Sequence, residues 1–308
     1  MTLQHQTAPA YQTDFAPEIG EAECVAPFVE RIVAPNASPY TFTGTNCFLV
    51  GQDELAIIDP GPDVQVHINA LDRAINGRKV SAILLTHTHR DHSAVAPKLA
   101  EKYGVPLMFG GPHRPARNLR AFEIDPMKRS GHYGLKPDRT LRQGDILSFG
   151  AVQIEVIETP GHCANHVCFA LSDRAHILTG DHIMGWNSTL IADPDGALGP
   201  YLDSMDLILS CPGQIYLPAH GDRIVQGKSY ARALKGHRLQ RNKQILDLLA
   251  KHGSLTAWQL TDKMYPDVSM AVRGAALLTV KAHLHYLAEQ GALKKQRRLL
   301  RQPIFVAA

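Results

Sequence analysis

No stretch of this 308-residue chain is long and apolar enough to span a bilayer, so no membrane embedding is expected. The opening segment, MTLQHQTAPAYQTDFAPE, lacks an apolar run, which predicts neither a secretory signal nor a membrane anchor. A strong excess of one charge is missing too: 32 Lys and Arg stand against 29 Asp and Glu, a formal balance of +3. That does not imply a nucleic-acid partner by itself, and it suits an anionic substrate equally well. Cysteine is limited to five residues, an odd count without a CxxC pair. These read as reduced thiols in a cytoplasmic protein, mostly buried filler. Repeats and low-complexity tracts are absent. What the chain has in plenty is histidine, 16 residues, and the question is which of them are placed for a purpose.

Apolar periodicity organises the chain. GTNCFLVG and ELAIIDPGP read as a hairpin after a polar leader, HINALDRAING as a helix ending at Gly77, and VSAILLT as a buried strand. SAVAPKLAEKYG follows as a helix with a stop at Gly104, and VPLMFG as a further strand. From Gly110 to Arg142 no period is visible, which predicts a long loop with room for a short helix. Its cations Arg114, Arg117, Arg120, Lys128 and Arg129 read first as a solvated face, with steering of an anionic substrate or a lid as the alternative. DILSFG, VQIEVIETP, HVCFALS and AHILTGD are strands, GPYLDSMDLILS a helix, and GQIYLPAHGD a last strand. Strands alternating with helices, plus runs of strands, predict layered sheets covered by helices in residues 1–228. Residues 229–308 change texture to three helices and a short ribbon, the pattern of a winged helix.

The densest histidine cluster is LLTHTHRDHS. His87 and His89, two apart at a strand end, project to one side, while Asp91 and His92 fall in the turn entering the next helix. Three more apolar runs end at His162, Asp181 and His220, with Gly161, Gly180 and Gly221 beside them. Glycine permits the close approach a crowded site needs. Five imidazoles and two carboxylates are too many for one zinc ion and suit two. The expected sets are His87, His89, His162 and Asp181 for one metal, and Asp91, His92, Asp181 and His220 for the other, with Asp181 as the bridge. Zinc is the expected metal; manganese or iron remain open from ligand type.

The ordered set HTHRDH, TPGH, TGD and PAHG resembles the metallo-β-lactamase superfamily. With its helical tail the chain is most similar to the β-lactamase-like branch with a C-terminal winged helix, near glyoxalase II and β-lactamase-like endoribonucleases. The resemblance implies a four-layer αββα sandwich of the α/β (α+β) class, with a dimetal site at one edge of the sheets. It also implies that Asp91 both holds a metal and shuttles a proton to the leaving group. Flavodiiron relatives carry Glu where this chain has His89, and antibiotic-hydrolysing members lack the aspartate at position 181, so neither activity is expected.

The expected function is therefore a dinuclear zinc hydrolase using a metal-bridging hydroxide on a small ester, thioester or lactone. The alternative is a metal-dependent endoribonuclease or phosphodiesterase acting on RNA. Less favoured are a mononuclear iron dioxygenase and a non-enzymatic DNA binder, since AVRGAALLTVKAHLHYLAEQ is a poor recognition helix. The tail is expected to pack on the catalytic part or on a second copy of the chain, forming a homodimer. Asp59 reads either as a carboxylate orienting a ligand imidazole or as a turn residue. Trp186, Asn187, Ser188 and Thr189, just after the bridge, are expected to border the cleft or cap a loop. His166 and His182 read as groups supporting the ligands, His176 as structural. His237, Arg238 and Arg241 read as packing between the two units, while His113, His132, His252, His283 and His285 have no assigned role.

Overall fold

A computed structural model describes residues 9–121, 123–298 and 301–308. Seven strands build the first sheet in chain order: β1 (Ala22–Ala26), β2 (Val29–Val33), β3 (Asn46–Gly51), β4 (Glu54–Ile58), β5 (Lys79–Leu84), β6 (Leu107–Phe109) and β7 (Arg139–Thr140). Pairing is antiparallel from β1 to β4 and parallel from β4 to β7. Parallel neighbours need a crossover. The helix α1 (Gln65–Ile75) supplies it between β4 and β5. Between β5 and β6 the chain passes through the short turn α2 (Arg90–Ser93) and then α3 (Ala96–Tyr103).

The second sheet has the order β12-β11-β10-β9-β8. Its strands are β8 (Ile146–Phe149), β9 (Val152–Glu158), β10 (Val167–Leu171), β11 (His176–Gly180) and β12 (Ile215–Pro218), with α4 (Leu198–Ser210) crossing between the parallel pair β11 and β12. Side chains alternate along each strand. Phe48, Val50, Ala56, Ile58 and Leu84 face inward and meet Ile154, Val156, Phe169, Leu178 and Leu217 of the other sheet. The alternate residues Leu49, Leu55, Ile57 and Ile83 pack under α1 and α3. Ile157, Cys168, Ile177 and Tyr216 do the same under α4 and α5 (Gly227–His252). The layers are therefore helix, sheet, sheet, helix, and strands buried on both faces read as unbroken apolar runs.

In α5 the early residues Ala231 and Leu234 belong to the core beneath the second sheet, whereas Ile245 and Leu249 belong to a separate small core. That core is shared with β13 (Leu255–Thr256), α6 (Ala257–Met264), α7 (Met270–Glu289) and the ribbon β14 (Leu293–Arg298) with β15 (Arg301–Ala307). Residue 229, where the sequence changes texture, lies in the first turn of α5. Residues 299–300, part of the basic tail, and the leader residues 1–8 lie outside the described residues.

Some elements differ from the periodicity. β1 and β2 form an edge hairpin inside the stretch read as a polar leader, because β1 leaves three of its five residues exposed. Asn76, in the left-handed region with φ 47°, ends α1 one residue before Gly77. The segment from Gly110 to Arg142 carries no helix among the described residues.

That segment is tied down by ion pairs. Arg117 forks onto Asp193 (2.8 and 2.7 Å) and onto Glu123 (2.8 and 2.7 Å). Asp193 also accepts from His285 of α7 at 2.7 Å, and Arg120 meets the other nitrogen of that ring at 2.9 Å. Arg114 donates to the Ala164 carbonyl at 3.3 Å. Three of the five loop cations thus have structural partners, while Lys128 and Arg129 are exposed.

Hydrogen bonds from Arg117 hold the Glu123 carboxyl at about 2; burial opposes charge on Asp193, yet His285 and Arg117 hold it too at about 2. Both folded values lie below the ordinary carboxylate range, so this network stabilises fully above about pH 4 and is lost as pH falls through 2. Arg117→Ala is expected to cost about 2 kcal/mol near neutral pH, a charge-assisted pair discounted for partial exposure. The gap between wild type and variant should narrow as pH falls from about 5 towards 2, measured by denaturant unfolding; a pH-independent gap would remove the network from the account.

Candidate metal centre

Four strand ends deliver the site. β5 leads to His87, β9 to His162, β11 to Asp181 and β12 to His220. The turn α2 adds Asp91 and His92. Gly180, immediately before Asp181, has φ 51°, and a Cβ there would stand 2.6 Å from His166 Nε2 and 2.8 Å from Thr86. Only glycine lets the chain turn Asp181 into so tight a place.

All seven expected ligands converge. His87 Nε2 lies 3.0 Å from His89 Nδ1, which lies 2.9 Å from His162 Nε2. Across the site Asp91 Oδ2 lies 3.3 Å from His92 Nε2 and 3.4 Å from His220 Nε2. Asp181 stands between the groups: Oδ2 is 3.6 Å from His162 Nε2, while Oδ1 is 3.7 Å from His92 Nε2 and 3.4 Å from His220 Nε2. One oxygen faces each half, as a bridging carboxylate requires.

The other nitrogen of each ring explains why these atoms meet. His162 Nδ1 donates to the Leu190 carbonyl at 2.7 Å and His220 Nδ1 to the Gly44 carbonyl at 3.1 Å. His92 Nδ1 donates to Asp59 at 3.1 Å, and His89 Nε2 to Asp195 at 2.9 Å. Thr86 Oγ1 donates to Asp59 at 2.6 Å and so accepts from His87 Nδ1 at 3.0 Å. An outward N–H fixes the tautomer and turns a lone pair inward. The inward nitrogens of His89 and His162 lie 2.9 Å apart, close enough for both to serve one cation. In the other half, His92 Nε2, His220 Nε2 and Asp181 Oδ1 are buried with no hydrogen-bond partner. The residues fit a pair of metal ions.

Burial, then neighbouring imidazoles, holds His87 and His162 below the usual range, His162 at about 4, so both are neutral donors. Burial opposes charge on His92 and His220, but Asp91 and Asp181 push His92 well up and Asp181 pushes His220 to about 9. Asp91 and Asp181 are held well below the carboxylate range, against burial, by those same two rings. Cations and protons therefore compete for this half of the cluster. Burial opposes charge on His89, yet Asp195, with Asp91 and Asp181 further off, raises its pKa above the usual range, so protons compete with a cation there too.

Asp59 sits where the orienting role needs it, accepting from His92, Thr86 Oγ1 and, at 2.7 Å, the Thr86 backbone. His166 Nε2 accepts from the Asp181 backbone at 3.2 Å. His182 is buried behind the bridge, its ring 4.7 Å from that of Tyr201. The stretch from Trp186 to Thr189 departs from the cleft-border expectation. Trp186 stacks on Phe42 at 5.0 Å, Asn187 is exposed and its side chain accepts from the Ser188 backbone, and Thr189 is buried, donating to the Asp181 and His182 carbonyls. The flanking Met184 and Leu190 line the cleft instead, because the inward hydrogen bonds of Thr189 pin the middle of the turn. Arg238 donates to the Thr189 carbonyl, and Arg241 lies 4.9 Å over the Tyr265 ring, so these cations pack between elements.

Sequence reasoning missed Asp195 and His113. Asp195 Oδ1 lies 2.9 Å from His113 Nε2, and its Oδ2 accepts the hydrogen bond from His89 Nε2. ADPDG reads as a turn, and nothing in its spacing points to a histidine 106 positions earlier.

Among known proteins, residues 40–220 match the family profile described as Metallo-beta-lactamase superfamily, and residues 256–298 that described as Beta-lactamase associated winged helix domain. An atrochrysone carboxyl ACP thioesterase of Aspergillus chevalieri is 28% identical over 85% of this chain and 80% of its own length. The beta-lactamase-like protein 2 homolog of Caenorhabditis elegans is 27% identical over 86% of each. The crystal structure of a beta-lactamase domain protein from Burkholderia ambifaria superposes with a TM-score of 0.81 at 22% identity, covering 100% of this chain and 99% of that one. Sheets, helical layers and seven converging ligands agree with that assignment: the chain belongs to the metallo-beta-lactamase superfamily, as a hydrolase with a C-terminal winged-helix domain.

Proposed function

We propose that this chain is a dinuclear hydrolase, with zinc as its metal, acting on the carbonyl of a thioester or related ester. The observation that carries the reading is the set of five imidazoles with fixed outward N–H groups, closed by the two-sided Asp181 at the wall of an apolar cleft. His87, His89, His162 and Asp181 would hold one ion, and Asp91, His92, Asp181 and His220 the other. Bound there, the ions supply Lewis acidity and lower the pKa of a water. Imidazole-rich ligation suits zinc.

The chain's own residues do the rest. In thioester cleavage a water oxygen adds to the carbonyl carbon, the C–S bond breaks, and a proton from that water ends on the thiol. Asp91 is the ligand placed to carry it, because its side chain is 30% exposed while its Oδ2 still touches both His92 and His220. His89, Asp91, His162 and Asp181 all line the cleft, so a substrate carbonyl reaches both halves of the cluster. The phosphodiester alternative wants cations along the path of a backbone. No Lys or Arg lines this cleft among the described residues. Two relatives, from Aspergillus chevalieri and Claviceps purpurea, carry the name thioesterase, which adds support.

The deciding experiment is a panel of thioester, lactone, phosphodiester and RNA substrates on protein of measured metal content. Cleavage of thioesters, with RNA binding no weaker at high salt than at low, supports the proposal; RNA cleavage alone overturns it. Asp181→Ala should drop bound metal from two equivalents to one or fewer and lower kcat/KM by about a thousandfold or more. Retention of both would take the bridge away from Asp181. His182→Ala should leave metal content intact. Asp195→Asn should weaken metal binding about 10–100-fold through loss of the His89 orientation, read by competition with a chromophoric chelator; unchanged affinity would mean His89 is held by packing alone.

A further inference from the structure

The cleft beside the cluster has a volume of about 410 Å³. Away from the ligands its walls are mostly apolar, built by Pro126, Met127, Met184, Leu190, Ala275 and Leu278, with Tyr40, Thr41 and Ser130 beside them. One of those walls is the face of α7 that carries Gly274, Ala275 and Leu278, at the i, i+1, i+4 spacing of one helix side. A second depression of about 520 Å³ shares Pro126, Gly274 and Leu278 with the first. It opens past Ile124 and Trp258, which are 85% and 40% exposed. Gly274 thus lies on the boundary between a space that reaches the metal ligands and one whose lining joins the apolar Ile124, Pro194, Trp258 and Leu277 with the charged Glu123, Asp193 and Lys281.

Glycine inside a helix is unfavourable relative to alanine. The usual structural reason for accepting it is close packing, and that reason is missing: a Cβ at Gly274 would meet nothing within 4 Å. The helix is also held firmly against the catalytic layers. Tyr40 on the opposite rim donates to the Ala271 carbonyl at 3.4 Å, His285 bonds Asp193 at 2.7 Å, and Ala282 is part of the core beneath the second sheet. A wall fixed in this way selects by shape.

We propose that an extended apolar acyl group lies along α7, from the metal cluster past Gly274 towards Ile124 and Trp258, and that the missing side chain at Gly274 sets the size of acyl group admitted. The proposal rests on the thioester reading above and names the substrate class within it. The hydrocarbon side chains on the cleft walls and on α7 match such a group, whose burial removes apolar surface from water. The acyl group's carbonyl stays at the ligands, while its tail takes the groove that the C-terminal helix completes.

The test compares wild type, Gly274→Ala and Gly274→Leu on acetyl and decanoyl thioesters of one small thiol, N-acetylcysteamine. Both substitutions raise helix propensity, so the fold is not put at risk, and metal content is checked for each. Wild type should favour the decanoyl substrate in kcat/KM. That preference should fall at least about tenfold in the leucine variant and by less in the alanine variant. Equal losses on both substrates, or an unaltered preference, overturn the proposal. So does a preference that follows the length of the thiol when the acetyl group is kept, because the groove then holds the leaving group. Should wild type cleave neither substrate, the reaction reading fails, and calorimetry with the uncleavable decanoyl methyl ketone analogue decides the inference separately. Weaker binding to the leucine variant by about tenfold upholds it, and equal affinity ends it.

Discussion

The arrangement that everything else serves is the set of outward hydrogen bonds on five histidines. An imidazole has two nitrogens, and fixing a proton on one determines what the other presents. Here the outward partners are two carboxylates, two backbone carbonyls and a threonine hydroxyl, from five residues spread along the chain. The two-sheet sandwich makes this possible. Strand ends along one edge deliver ligands, and the loops leaving neighbouring strands deliver the acceptors. Thr86 shows how economical the construction is: its backbone and hydroxyl both donate to Asp59, and the same hydroxyl orients His87 while Asp59 orients His92.

The C-terminal helices take part in this site without contributing a ligand. Helix α5 belongs to two cores at once, so the small unit is continuous with the sandwich at that helix. Asp193 and Asp195 stand two residues apart on one loop. Asp193 anchors α7 and Arg117, while Asp195 holds His89. The loop that positions a ligand is thereby the loop that positions the cleft wall. A displacement of α7 would pull on the support of the metal cluster, which gives the small domain a structural reason to be present in a hydrolase.

How much of this was legible in the chain follows from the range of each interaction. Ligands at strand ends announce themselves because an apolar run that stops at histidine or aspartate is a local event. The two sheets were legible for the same reason, since strands buried on both faces are continuous runs. The hairpin of β1 and β2 was not, because an edge strand with one wet face loses that signature. Asp195, His113 and Gly274 were not either. Asp195 lies in a turn-like string, His113 meets it only through tertiary contact, and Gly274 inside RGAALL reads as an ordinary helical interruption. Thr189 and Trp186 fall with the loop-capping alternative: closeness in sequence to a ligand does not decide which way a turn residue points.

The same geometry bears on stability. His92, His220 and Asp181 are buried with their charged atoms 3.4–3.7 Å apart and without hydrogen-bond geometry at His92 Nε2, His220 Nε2 and Asp181 Oδ1, and taking such charges out of water is costly. Further cost comes from crowding the buried rings of His87, His89 and His162: burial, then the neighbouring imidazoles, holds charge down on His87 and His162. The sheets can carry it, because the inter-sheet core between Phe48 and Leu217 is apolar throughout and requires nothing of the site. A cation entering the cluster relieves these penalties together, so part of its binding free energy appears as folding free energy. Strain of this kind is concentrated on the rings whose outward partners are fixed, which keeps the ligands in register even before a cation arrives. The cluster is thus preorganised at the expense of the unloaded fold, and the sandwich beneath it is what makes that expense tolerable.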